Sequence, residues 1–325
     1  MSDTSPNHPI TQPPNPTSPD RQINRWKAVA QWLLYAGGLA LLGYVIYHAA
    51  TGSDWSRLKQ AEPGQVATLI AMVMCSLVLN GAMFTVLTRP FETTTRIGVI
   101  DWQAMLAATS LVNYLPKAGL IGRTALLKTR FGIGLAASVV TVGILAVVSA
   151  YVLALGAALT LWRTQLDAWW WVGLVIGISL GAVIGAPFAL PLVRRVGHVR
   201  SGQMSVRQAA VWLGALIALR CADLLVWVFR YMTLASIFGY AIRPSKGLTL
   251  AVPSMFATMA LPVPNGVGVR EWLIASLSKL DLGGMPIQHA DALAVVDRAA
   301  EAGVFLATGL LGMWWLYGRR RRTSK

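Results

Sequence analysis

Charged residues are scarce in this chain of 325 residues. Asp, Glu, Lys and Arg together make up 13% of it, and apolar residues make up 55%. Soluble domains are roughly a quarter charged, so this composition excludes an ordinary soluble domain. Several apolar runs also exceed the ~20 residues that an α-helix needs to cross a bilayer. We therefore expect an all-α polytopic membrane protein.

The residue types that usually build enzyme and metal sites are few. The chain has two cysteines and four histidines. Cys75 and Cys221 fall inside predicted helices without metal-type spacing, and the histidines are scattered along the sequence. No Walker loop, G-x-S-x-G or H-E-x-x-H motif occurs. The sequence therefore predicts no metal site, no cofactor and no catalytic residue of these classes.

Acidic residues are few: the chain has 13 Asp and Glu against 28 Lys and Arg, which gives a net charge of +15. No nucleic-acid motif accompanies this charge, and the basic residues lie in short loops and at the C-terminus. Membrane topology and anionic headgroups explain such a distribution better. We expect the bilayer, and not nucleic acid, to be the partner of this charge.

Six apolar segments are long enough to be full membrane spans. They cover residues 28–48, 66–88, 136–160, 168–192, 208–234 and 289–317. Before them lies a Pro-rich stretch, residues 1–25, which is typical of a disordered tail. We predict that this tail is followed by a membrane domain over 26–317 and a basic cytoplasmic tail over 318–325.

Two further apolar segments, about 102–132 and 247–283, are interrupted by similar motifs. The first motif runs Leu-Pro-Lys-Ala-Gly-Leu-Ile-Gly-Arg over 115–123, and the second runs Leu-Pro-Val-Pro-Asn-Gly-Val-Gly-Val-Arg over 261–270. Non-helical backbone at membrane depth is tolerated only where protein buries it or where it lines a watery cavity. Paired Gly/Pro interruptions in two halves of a chain point to a transporter binding site.

Basic loops indicate how the interrupted segments meet the membrane. If 102–132 were a full span, the basic loops near 123–130 and 193–207 would both face outside, against the positive-inside rule. We therefore predict two re-entrant helical hairpins between six full spans, with both termini cytoplasmic. The halves, about 26–162 and 163–317, then have three crossings each, so the second is an inverted repeat of the first. The alternative is eight plain spans with Pro kinks.

Cations and glycines at the two predicted hairpin tips suggest an anion site. Arg offers a bidentate fork for phosphate oxygens, and glycine lets backbone amides approach a ligand. Within the span at 208–234, Arg220 and Asp223 are spaced to pair at i,i+3, either as a structural brace or as part of the site. The tip residues concerned are Lys117, Gly119, Gly122, Arg123, Gly266, Gly268 and Arg270.

At these motifs the chain resembles the flippase-like membrane domain of the lysylphosphatidylglycerol synthases, which many bacterial and archaeal membrane proteins share. The resemblance covers about 25–317 and implies that the matching residues bind substrate. Leu120 departs from the family pattern, since many members have Glu there, so this chain lacks a carboxylate at that position. No aminoacyl-transfer domain follows residue 317, so we expect a translocation module that makes no aminoacylated lipid. The matching residues are Asn113, Pro116, Lys117, Gly119, Arg123, Pro262, Gly266, Gly268, Arg270, Glu271 and Arg298.

Together these features predict a flippase of the cytoplasmic (inner) membrane. Its substrate would be an anionic phospholipid or a polyprenyl-phosphate lipid, whose headgroup crosses through a cationic cavity. One alternative is an integral-membrane enzyme of lipid or lipid-linked glycan synthesis, acting through Glu271, Asp297 or Glu301. Another is an accessory subunit that binds lipid- or glycan-synthesis enzymes.

Overall fold

The protein is described by a computed structural model over residues 19–52, 55–91, 98–112, 118–161, 170–196, 204–260, 266–281 and 287–323. Within these ranges all regular structure is helical, as the all-α prediction required. The helices are α1 (Pro19–Gly52), α2 (Ser56–Lys59), α3 (Pro63–Thr88), α4 (Val99–Val112), α5 (Ala118–Phe131), α6 (Leu135–Leu161), α7 (Trp170–Val196), α8 (Val206–Ile237), α9 (Pro244–Ala260), α10 (Val269–Asp281) and α11 (Ile287–Thr323).

In the described part of the chain, six helices are long and apolar enough to cross a membrane, namely α1, α3, α6, α7, α8 and α11, and they confirm the predicted polytopic class. Their apolar segments lie at Trp32–Gly52, Pro63–Phe91, Leu135–Thr160, Ile176–Arg195, Val206–Ile237 and His289–Leu316.

The outer helices extend beyond the predicted ends of the membrane domain. Helix α1 begins at Pro19, so it includes residues 19–25 of the Pro-rich stretch, and the predicted domain boundaries stay a prediction. Proline is accepted in the first turn of a helix, where its missing N–H has no intrahelical partner to lose. Helix α11 likewise continues to Thr323 through the Arg run, since Arg is a good helix former and suits a helix C-terminus.

Helices too short to span a bilayer occupy the two interrupted segments. Helices α4 and α5 have 14 residues each, or about 21 Å at 1.5 Å per residue, against a hydrocarbon core of about 30 Å. Helices α9 and α10 have 17 and 13 residues. In each pair the two short helices pack against one another. The breaks at 113–117 and 261–265 lie outside the described residues, so the re-entrant hairpins stay a prediction.

The packing of the two halves is related. Helix α3 packs against α4 as α8 packs against α9, and α11 packs against α4 as α6 packs against α9. At the centre, α3 and α8 pack directly against each other. The outermost helices agree only in part, because α7 packs on α6 as α1 packs on α11, whereas α7 also packs on α8 and α1 on α10. This pairing is what an internal repeat would give, and the inversion of the second half stays a prediction.

Glycines on α7 allow it to approach its neighbours closely. Gly177 and Gly181 face side chains of α6, and Gly185 faces Leu213 of α8. A Cβ atom at these positions would lie 2.7, 2.6 and 2.6 Å from the nearest side-chain atom. Small residues at such spacing are typical of membrane helix interfaces. They fix α7 against α6 and α8, at the edge of the bundle that surrounds the site.

Candidate functional site

A cavity of about 290 Å³ lies at the centre of the bundle, between the two related halves. Its wall is formed by α3, α4, α5, α6, α8, α9 and α11, so both halves contribute. Polar groups at bilayer depth are costly unless paired or wet, which makes each of them a functional candidate. The polar and charged lining residues are Ser76, Asn80, Ser110, Arg123, Arg220, Asp223, Arg230, Thr258 and Glu301.

Arg123 is the basic residue that the first interrupted motif brings to this cavity. It lies on α5, and its guanidinium carbon is 4.7 Å from the centroid of the Phe84 ring of α3. Phe84 is itself stacked on Trp102 of α4, which holds the ring in place. Among the described residues, none forms an ion pair with Arg123 and none accepts a hydrogen bond from its buried Nε. Arg123 thus presents a cation to the cavity with an aromatic ring as its main support.

Arg220 and Asp223, both on α8, form the ion pair that their spacing predicted. The Nη1 of Arg220 is 2.6 Å from Oδ2 of Asp223, and the residues are 4% and 1% exposed. Asp223 also accepts hydrogen bonds from Ser76 at 2.5 Å and from Asn80 at 3.3 Å, both on α3. The second nitrogen of Arg220, Nη2, is 2.9 Å from the sulfur of Met259, a weak acceptor. This pair therefore joins α3 to α8 at the cavity wall.

A second charged cluster, which we call the six-residue network, joins α8, α10 and α11. Arg270 contacts both Asp297 and Glu301. Nε of Arg230 is 2.5 Å from Oδ1 of Asp297. Cations and carboxylates are equal in number, so their formal charges cancel. The members are Arg230, Arg270, Arg298, Glu271, Asp297 and Glu301, and all six are buried.

Only some members of the six-residue network line the central cavity. Arg230 and Glu301 line the cavity, whereas Arg270 is fully buried behind the ring of Trp227, 4.5 Å from its centroid. Nε of Arg298 is 2.9 Å from Oε1 of Glu271. The network thus holds the start of α10 against α11. The guanidinium of Arg270, which the sequence suggested would bind a ligand phosphate, contacts carboxylates of the protein.

The glycines of the second motif also have intramolecular roles. Gly266 and Gly268 have φ angles of +61° and +81°, a region that favours glycine. A Cβ on Gly268 would lie 1.7 Å from the backbone oxygen of Gly38 in α1. The Gly268 N–H donates to Oε2 of Glu271 at 2.6 Å, which caps the first turn of α10 in the manner of a capping-box Glu. These contacts account for the Gly-x-Gly and Arg-Glu pattern without a ligand.

The predicted site residues therefore separate into three groups. Arg123 lies at the cavity, and Gly119 lies in the first turns of the same helix. Five others lie together around the start of α10, behind the cavity wall, and their substrate role stays a prediction. They are Gly266, Gly268, Arg270, Glu271 and Arg298. The remaining predicted residues lie outside the described part of the chain, namely Asn113, Pro116, Lys117 and Pro262.

Several lining residues were not identified from the sequence. Ser76 and Asn80 lie on α3 and contact Asp223, while Trp227 donates to Ser76 at 3.3 Å and covers the network. A polar Asn in the middle of an apolar span was the available signal, since such residues seldom face lipid. Phe84 and Trp227 offered no such signal, because aromatic residues occur throughout membrane helices.

Comparison with known proteins agrees with this architecture. No curated protein and no solved structure matches the chain. The family model described as the lysylphosphatidylglycerol synthase TM region matches residues 29–312, which include every residue that lines the cavity. The match connects a multi-pass membrane protein with a lipid-related function. The chain belongs to the lysylphosphatidylglycerol synthase transmembrane-region family.

Proposed function

We propose that the protein is a lipid flippase of the cytoplasmic membrane, with both termini on the cytoplasmic side. The headgroup of an anionic lipid passes through the central cavity while the acyl or prenyl tails remain in the bilayer. The observation that supports this most directly is Arg123, a cation at the cavity that lacks a carboxylate partner among the described residues.

The balance of charge around the cavity supports an anionic substrate. Four arginines pair with four carboxylates. The arginines are Arg220, Arg230, Arg270 and Arg298, and the carboxylates are Asp223, Glu271, Asp297 and Glu301. Arg123 is then the surplus positive charge of the described lining. A charge at bilayer depth costs several kcal/mol unless it is paired or hydrated. A phosphate-bearing headgroup would supply that partner, with the bidentate geometry that a guanidinium favours.

The size of the cavity limits the substrate class. Ligand cavities usually measure roughly 300–1,000 Å³, and this one, at about 290 Å³, is at the lower limit. Such a volume suits a single phosphate with a small alcohol, as in a phospholipid, or the bare phosphate of a polyprenyl lipid. A lipid-linked oligosaccharide would not fit without a large rearrangement. We therefore propose a small anionic headgroup as the substrate.

The surroundings of the carboxylates favour transport over lipid chemistry. Glu271, Asp297 and Glu301 were the candidate catalytic acids of an enzyme, and each contacts at least one arginine. A carboxylate that is held by an arginine would have to leave this contact before it could act on a lipid, which costs free energy in a buried site. A purified protein that moves lipid by itself would also argue against a purely accessory role.

The proposal is tested by reconstitution in liposomes that contain labelled phosphatidylglycerol. Transbilayer movement and chemical change of the lipid are scored in the same sample. Arg123→Gln should slow movement by at least about tenfold, the loss expected for a charged hydrogen bond. Lys128→Gln is the matched control, because it removes the same charge from an exposed position on the same helix. Equal rates for the two variants, or a chemically altered lipid, would contradict the proposal.

A further inference from the structure

We propose that Arg220 is a second ligand for the headgroup phosphate, opposite Arg123, and that Asp223 holds Arg220 only while the headgroup is absent. This inference rests on the proposed function and assigns a specific role to the ion pair of α8. Arg220 and Arg123 line the same cavity from different halves of the protein, on α8 and α5.

Arg220 has more hydrogen-bonding capacity than its surroundings use. It is 4% exposed, and no described residue accepts a hydrogen bond from its Nε. In the described part of the chain, its Nη2 contacts only the thioether of Met259. A buried guanidinium normally binds strong oxygen acceptors through most of its five N–H groups. The donors that Arg220 leaves without oxygen partners are suited to the oxygens of a phosphate in the adjacent cavity.

Asp223 is placed to give up Arg220 without losing all of its own partners. Its Oδ1 accepts from Ser76, and its Oδ2 accepts from both Asn80 and Arg220. If Arg220 turns to a phosphate, the hydrogen bonds from Ser76 and Asn80 remain, so the carboxylate is still partly stabilised. In the six-residue network, by contrast, Asp297 is shared by Arg230 and Arg270, and no comparable pair of neutral donors contacts it among the described residues. The α8 pair is therefore the exchangeable one.

The exchange predicts opposite effects from the two partners. Asp223→Asn removes the competitor for Arg220, so binding of the anionic headgroup should become about tenfold tighter or more. Arg220→Gln removes a charged phosphate contact, so binding should become about tenfold to a hundredfold weaker. If the ion pair only supported the fold, the two single variants would not change headgroup binding in opposite directions, because each would simply leave one buried charge without its partner.

The test measures binding of dihexanoyl phosphatidylglycerol, a short-chain lipid, to the purified full-length protein by calorimetry, together with thermal unfolding of each variant. The double variant Arg220→Gln, Asp223→Asn covers the case in which a single variant does not fold, because it leaves neither charge unpaired. We expect the double variant to fold and to bind as weakly as Arg220→Gln. Binding and transport at the wild-type level in the double variant would overturn the inference, as would equal affinity in all variants.

The same measurements separate this inference from the flippase proposal. If the wild-type protein binds the short-chain lipid with the expected dependence on residues 220 and 223 but moves no lipid in liposomes, transport fails and the two-arginine site stands. If the wild-type protein moves lipid and the double variant moves it equally well, transport stands and the role of Arg220 fails.

Discussion

Arg123 and Arg270 end the two interrupted motifs, but their guanidinium groups have different surroundings. Arg270 is completely buried and contacts the carboxylates of Asp297 and Glu301. Arg123 is at the cavity against the ring of Phe84. At the scale of single residues, Arg270 of the second motif is therefore paired within the protein, while Arg123 of the first motif has no carboxylate partner among the described residues.

This difference predicts separate effects of the two alanine variants. Arg270→Ala leaves two buried carboxylates short of a partner, and breaking such a buried pair costs about 3–5 kcal/mol. Its unfolding temperature in detergent should fall well below the wild-type value. Arg123→Ala breaks no ion pair among the described residues, so it should unfold near the wild-type temperature and still fail to move lipid. Similar unfolding temperatures for both variants would contradict the assignment of Arg270 to the network.

A lysine at position 123 tests what kind of contact Arg123 makes. Lysine keeps the positive charge but lacks the planar fork that binds two phosphate oxygens. We expect Arg123→Lys to transport lipid more slowly than the wild-type protein and faster than Arg123→Gln in the same liposome assay. Full activity of Arg123→Lys would show that a positive field suffices and that bidentate recognition is wrong.

At the scale of helices, the start of α10 is fixed by backbone contacts that only glycine permits. Gly268 combines a φ of +81° with a close approach to Gly38 of α1. Its N–H is also bound by Glu271, which in turn contacts Arg298 of α11. One turn of chain thus connects α1, α10 and α11.

Replacing Gly268 should separate these helices. In Gly268→Ala the new methyl group would meet the Gly38 backbone and would need a φ that L-residues rarely adopt. We expect a fall in unfolding temperature of several degrees or more. Gly303→Ala in α11 is the matched control, because no atom lies within 4 Å of the added Cβ and alanine is the better helix former. Unfolding of both variants at the same temperature would contradict this role of Gly268.

At the scale of the whole molecule, the orientation in the membrane is the main prediction still to be measured. Single cysteines at the exposed positions Lys128 and Arg243 can be compared in a background where Cys75 and Cys221 are replaced. With re-entrant hairpins, Lys128→Cys should react from the cytoplasmic side and Arg243→Cys from the external side. Labelling of Lys128→Cys from outside would instead favour a first interrupted segment that crosses the membrane fully.

Much of this arrangement followed from the sequence because it depends on short-range patterns. Hydropathy alone located the six spans, and the i,i+3 spacing was enough to pair Arg220 with Asp223. The contacts of Ser76 and Asn80 with Asp223, and of Arg270 with α11, join residues far apart in the chain. Periodicity within one helix shows which face is polar but does not show which other helix that face meets. For this reason the sequence treated Arg123 and Arg270 as equivalent.

The packing of α1 has a consequence for how the protein is made. Within this membrane domain α1 is synthesised before the other described helices, whereas its packing partners, α10 and α11, are the last of them to be synthesised. Contacts between residues so distant in sequence form late and slowly. During synthesis α1 must therefore remain in the bilayer as an independently inserted helix, stable through its own apolar length, until α10 and α11 have been made. Assembly of this membrane domain is completed by closing its two ends on each other.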